Sequence, residues 1–163
     1  MRVRPIGIIH TPFTEPAGTP INPKVGKGVV GTVEVHKEFV RGLKDLDGFD
    51  RIWLIFWLHR AREPRLVVTP FLDTVKRGLF ATRAPSRPNP IGLSAVRLLR
   101  IEGNTLHVSN LDIVDGTPLL DIKPYTPSDC HPRVRCGWMD DVPSPPLSAD
   151  GRFAMAKGKG RTR

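Results

Sequence analysis

Three aspartates, Asp112, Asp115 and Asp121, lie within ten residues of one another in the segment LDIVDGTPLLDIKPY. Carboxylates gathered around an Asp-Gly turn can accept from ribose hydroxyls or an amine, oppose a cationic ligand group, or take up a proton. Local hydrogen bonding to turn backbone is the simpler role, and it accounts for Asp115 better than for Asp112. Complementary charge comes from ATRAPSRPNPIGLS, where Arg83 and Arg87 sit on a loop stiffened by Pro85, Pro88 and Pro90. A guanidinium on backbone with little entropy left to lose suits bidentate recognition of a carboxylate or phosphate. Solvated arginines on a rigid connection are the plain alternative. His59 and Arg60 end the apolar run RIWLIFWLH, where a strand commonly presents residues to a ligand.

Two other patterns carry less. GKGVVG at 26–31 spells a dinucleotide fingerprint, but a proline-rich loop precedes it and the β-branched TVEV follows. The fingerprint works only between a strand and a helix N-terminus, so a Rossmann reading is rejected. Cys130 and Cys136 flank His131 without the paired spacing of a structural zinc site, so no metal is expected.

The elements that would position these groups read as short strands punctuated by Pro and Gly. Strands are expected at 3–9, 29–35, 66–69, 78–82, 93–101, 105–108 and 119–122, with 51–59 as a buried central strand. Residues 102–104 offer a hairpin turn, 37–43 a short helix, and 14–28, with Pro16, Pro20 and Pro23, a long loop. The pattern predicts an all-β fold, a single-sheet β-barrel with a few short helical segments.

The chain has 163 residues, enough for one domain of ordinary size. Residues 1–142 are expected to form the barrel domain and 143–163 a Pro/Gly-rich, basic, disordered tail. Of the net charge of +9, residues 152–163 hold five basic side chains and no acid, leaving 20 basic against 16 acidic residues elsewhere. A basic tail suggests a polyanion such as RNA, or serves only as a solubilising extension. No apolar run reaches the ~20 residues of a membrane helix and no signal-peptide segment is present, so a cytoplasmic protein is expected.

IGIIHTPF, FATRAPSRPNPIG and LDIVDGTPLLDIKPY, in this order, resemble the signatures of the TsaA-like family, also called TrmO or YaeB type, over residues 3–142. The resemblance implies a β-barrel homodimer that uses S-adenosyl-L-methionine to methylate N6 of threonylcarbamoyladenosine beside the tRNA anticodon. It implies cofactor contacts from Ile21, Asn22 and Pro23, from His59 and Arg60, from Arg83, Asn89 and Leu93, and from Leu111, Asp112, Gly116 and Thr117. For the chemistry, Asp115 or Asp121 would remove the acceptor proton, with Tyr125 near the substrate. Two rival functions remain: a non-catalytic RNA-binding β-barrel, and a methyltransferase acting on a different acceptor.

Overall fold

A computed structural model describes residues 2–142 and 146–155. Six antiparallel strands close a barrel: β1 (Gly7–His10), β2 (Val30–Val35), β3 (Arg51–Trp57), β6 (Ile91–Glu102), β7 (Thr105–Ser109) and β8 (Thr117–Pro124). Around the barrel the order is β1-β2-β7-β6-β3-β8, and β8 returns to β1 with Ile9 opposite Thr117. A separate ladder of two residues per strand joins β4 (Val67–Val68) to β5 (Arg77–Gly78).

The two-residue period of the strands fills the barrel. Ile52, Leu54 and Phe56 of β3 point inward, as do Val96 and Leu98 of β6, Leu106 and Val108 of β7, and Leu119 of β8. The predicted all-β barrel is therefore present, and its hairpin turns at 102–104 with Gly103 at φ 61°. Lys37–Leu43 forms the expected short helix as a 3-10 segment. The loop 14–28 carries no strand or helix.

Several expectations need correction. The stretch 51–59 is not buried on both faces: only alternate residues reach the interior, because a closed barrel offers each strand one inner face. The strand expected at 78–82 ends at Gly78, and Leu79–Ala81 is a 3-10 turn that inserts Leu79 into a second, smaller core. The expected tail is also not uniform. Ala154 bridges to Ala61, Ser148 bridges to Pro20, and Phe153 is 7% exposed in that second core with Val68, Leu79 and Ala84. Phe153 meets Phe71 edge to face at 5.1 Å, which holds 149–154 against the barrel end. The remainder of the expected tail, 143–145 and 156–163, lies outside the described residues.

Candidate active site

One end of the barrel opens into a cavity of about 180 Å³. Antiparallel pairing assembles it. The end of β3 lies beside the start of β6, with Trp57 opposite Ile91, while the start of β8 lies beside the end of β1. Phe56 and Leu58, Leu93 and Ser94, and Asp112, Ile113, Val114 and Thr117 thus converge on the same opening, while Asp115 stays outside its lining. The early loop adds Ile21, the stiff loop adds Arg83, and the returning segment 149–154 adds Phe153.

The walls are mostly apolar, so the few polar groups stand out electrically. Asp112 accepts from Ser94 Oγ at 2.7 Å, and burial raises its pKa to about 6 despite this hydrogen bond and the nearby Arg83 charge. Arg83 has no ion pair within 4 Å among the described residues and stands exposed at the mouth. Arg87 behaves differently: its guanidinium turns back to the carbonyls of Thr82 and Ala84 at 3.1 and 3.4 Å and staples its own loop. Between two arginines that the sequence leaves equivalent, Arg83 alone lines the cavity.

His59 sits 3.3 Å from Thr117 Oγ1 through Nδ1. Thr117 has one hydroxyl proton and donates it to the Val114 carbonyl at 2.5 Å. The ring also donates to the Trp57 carbonyl, an interaction that favours its protonated form. Burial, followed by the Arg60 charge, lowers the His59 pKa, so the ring is neutral near pH 7. Arg60 reaches Glu15 at 3.1 Å and ties the early loop to the end of β3.

Among the residues expected to touch a cofactor, Ile21, His59, Arg60, Arg83, Leu93, Asp112 and Thr117 line this cavity together. Asn22 instead accepts from Val25 N at 3.0 Å through its side chain, and with Pro23 lines an adjacent cleft. Leu111 is fully buried in the barrel core, Gly116 forms the turn at φ 71°, and Asn89 is exposed on the stiff loop outside the lining. Asp115 accepts from Thr11 N at 3.0 Å and lies 3.5 Å from His10. Asp121 pairs with Lys123 at 2.7 Å, and the Tyr125 ring lies 5.3 Å from that of Trp53; neither lines the cavity.

Two contributors escape the motif reading. Ser94 occupies an inward position in the alternation Ser94, Val96, Leu98, and a hydroxyl in that register was a legible signal. Phe153, an isolated aromatic in a polar segment, carried none. The glycines of GKGVVG have a packing role: a Cβ on Gly26 would stand 2.2 Å from the Leu111 carbonyl oxygen, so only glycine lets the early loop approach the backbone that precedes Asp112.

The residues present suit S-adenosylmethionine. A half-buried carboxylate matches an amine, ribose hydroxyls or a sulfonium, an exposed guanidinium matches the amino-acid carboxylate, and apolar walls match the adenine ring. No group of three metal-ligating side chains occurs among the described residues, and Cys130 and Cys136 are free and exposed. No helix among the described residues is long and apolar enough to cross a membrane.

Comparison with known proteins agrees with this chemistry. Residues 8–130 match the model of the tRNA-methyltransferase O N-terminal domain. A Pyrococcus abyssi protein described as a "probable S-adenosyl-L-methionine-binding protein" is 54% identical over 138 residues, covering 84% of this chain and 75% of its own. A mouse tRNA (adenine(37)-N6)-methyltransferase is 35% identical over 128 residues, 74% of this chain and 30% of the mouse protein. The crystal structure of TrmO from Pseudomonas aeruginosa superposes with a TM-score of 0.71 at 38% identity, over 85% of this chain and 62% of that one. The chain thus spans less than two thirds of that solved relative. It belongs to the tRNA-methyltransferase O family and shares that family's S-adenosylmethionine-binding methyltransferase domain.

Proposed function

We propose that this protein transfers a methyl group from S-adenosylmethionine to the N6 nitrogen of threonylcarbamoyladenosine beside the tRNA anticodon. The observation that carries the reading is the presence in one apolar cavity of a half-buried carboxylate, Asp112, and a guanidinium, Arg83, that has no ion pair within 4 Å among the described residues. The mouse relative, named for adenine 37 and its N6, supports the position of the acceptor.

When bound, the cofactor supplies an electrophilic methyl carbon on a sulfonium. Arg83 would hold its carboxylate and Asp112 its amine or ribose hydroxyls, while Phe56, Leu58 and Phe153 would exclude water from the reacting atoms. Methylation at the acceptor nitrogen would require that its proton leave. That proton is assigned to His59, a neutral imidazole in the cavity lining, where burial and the Arg60 charge lower the pKa and the Asp115 charge only partly offsets them.

The protein is also proposed to act as a homodimer. Supporting this, the outer face of β3 and β6 is apolar at the end nearest the cavity: Ile55 lies opposite Leu93 and Trp57 opposite Ile91, with Leu93 53% exposed yet part of the cavity wall. Asp121 and Tyr125 lie on the neighbouring outer wall and enter the site, in this reading, only across such an interface.

The test combines the protein with methyl-labelled S-adenosylmethionine and tRNA, with or without the threonylcarbamoyl group. Label in the modified tRNA alone is the expected result. Cofactor binding without label in either tRNA would overturn the acceptor. The dimer is read by sedimentation of the wild type beside Leu93→Glu, which should sediment as a monomer.

A further inference from the structure

A second concavity lies on the outer wall of the barrel, away from the cofactor cavity. It encloses about 530 Å³ and is lined by Lys24, Lys27, Arg51, Arg97, Ser109 and Asn110, among others, with no carboxylate in its lining. All four cations are exposed, and none forms an ion pair within 4 Å among the described residues.

The register makes this arrangement costly to the fold. Arg51 and Arg97 are direct cross-strand partners on β3 and β6, and Arg97 is in turn opposite Ser109 on β7. Like charges directly opposite one another destabilise a sheet, and nothing nearby offsets them. The backbone that carries the lysines is tied in place: Gly28 N donates to Asn110 Oδ1 at 3.0 Å, and Val25 N to Asn22 Oδ1 at 3.0 Å. Four cations gathered in one groove without an ion pair among the described residues make a site suited to an anion.

The groove also leads somewhere. Lys24 lines both it and the adjacent cleft that contains Arg83, and Arg83 is at the mouth of the cofactor cavity. We propose that this groove binds the phosphodiester backbone of the RNA substrate and directs the strand past Lys24 to the cavity. The identity of that RNA as tRNA rests on the function proposed above; the phosphate chemistry of the groove does not.

The experiment uses the full chain and two double variants, Lys24→Gln/Lys27→Gln and Arg51→Gln/Arg97→Gln, with Arg133→Gln/Arg135→Gln as a control of equal charge change. Binding of a tRNA transcript is measured across salt concentration, with S-adenosylmethionine affinity by calorimetry and KM and kcat for methyl transfer. Each groove charge removed should lower the slope of log K against log salt by about 0.7–0.9. KM for tRNA should rise while kcat and cofactor affinity stay unchanged, and the Arg51/Arg97 variant should melt no lower than wild type. Groove variants with unaltered slope and KM, or a control that loses as much, would overturn the proposal. Wild-type protein that binds RNA through the groove but transfers no methyl to tRNA would keep the groove and discard the acceptor.

Discussion

Ser94 donates to Asp112 across 2.7 Å on the wall of the cavity, and burial still holds that carboxylate near a pKa of about 6. In the folded protein Asp112 therefore keeps its proton through a pH range in which the unfolded chain has lost it. Stability from this group falls as pH rises from about 4 to about 6, and above that range the ionised carboxylate costs up to about 3 kcal/mol. Asn at 112 can still accept from Ser94. Asp112→Asn should therefore raise stability at pH 8, by denaturant unfolding, while reducing S-adenosylmethionine affinity at least ~10-fold. Wild-type affinity should also drop as pH falls through about 6, because a cationic ligand needs the ionised form.

Arg83→Leu should weaken S-adenosylmethionine binding by about 10- to 100-fold, the loss expected for charge-assisted hydrogen bonds of about 1.5–3 kcal/mol. Arg83→Lys should recover only part of this, since it lacks the planar fork. Thermal unfolding should be unchanged in both, because the wild-type guanidinium stands exposed and outside any ion pair among the described residues. Calorimetric titration and a melting curve separate the two effects.

His59 has its pKa lowered, chiefly by burial, so the base form persists below the usual histidine range. The acidic limb of the pH–kcat profile should accordingly fall below pH ~6.5. His59→Gln should remove that limb and cut kcat by about 10²-fold or more with cofactor affinity retained. Since protonation is favoured in the unfolded chain, the His59 contribution to stability rises with pH through the window below ~6.5 and is complete above it.

Phe153→Ala should cost about 3 kcal/mol, because it empties a site packed against Phe71, Val68 and Leu79. The same change removes part of the cavity wall, so KM for S-adenosylmethionine should rise alongside the drop in Tm. Phe153→Leu should restore most of both.

Ser86 is 1% exposed and its Oγ has no hydrogen-bond partner among the described residues. Ser86→Ala should stabilise the protein by about 1 kcal/mol in chemical unfolding, since a hydroxyl desolvated without compensation is removed. Turnover should not change.

The barrel was legible because its signal is local. Alternation in β3 and β6 and the Gly103 turn follow from neighbouring side chains. The motif segments led to His59, Arg83, Asp112 and Thr117, all four of which line the cavity. The reading stopped where function depends on direction. Arg83 and Arg87 sit on the same proline-stiffened loop, yet the carbonyls of Thr82 and Ala84 capture only the second. Asp121 shares a motif with Asp112, but the register shift between Ile55 and Phe56 opposite it accompanies a change in which β8 side chains face inward. The docking of Phe153 depends on a distant core, built by Leu79 and Ala84, that no pattern around residue 153 announces.

The closure of β1 onto β8 also sets when the site can exist. Gly7 pairs with Leu119 from the far end of the barrel sequence, so closing the ring is a long-range event of the kind that folds slowly. During synthesis the first strand must wait, half-paired with β2, until the β8 residues leave the ribosome. His59, Arg83 and the pair Asp112 and Thr117 belong to three separate stretches of chain, and they meet at that closed rim. Cofactor binding should therefore appear with the slowest refolding phase and none of it earlier, making the ligand a reporter of barrel closure.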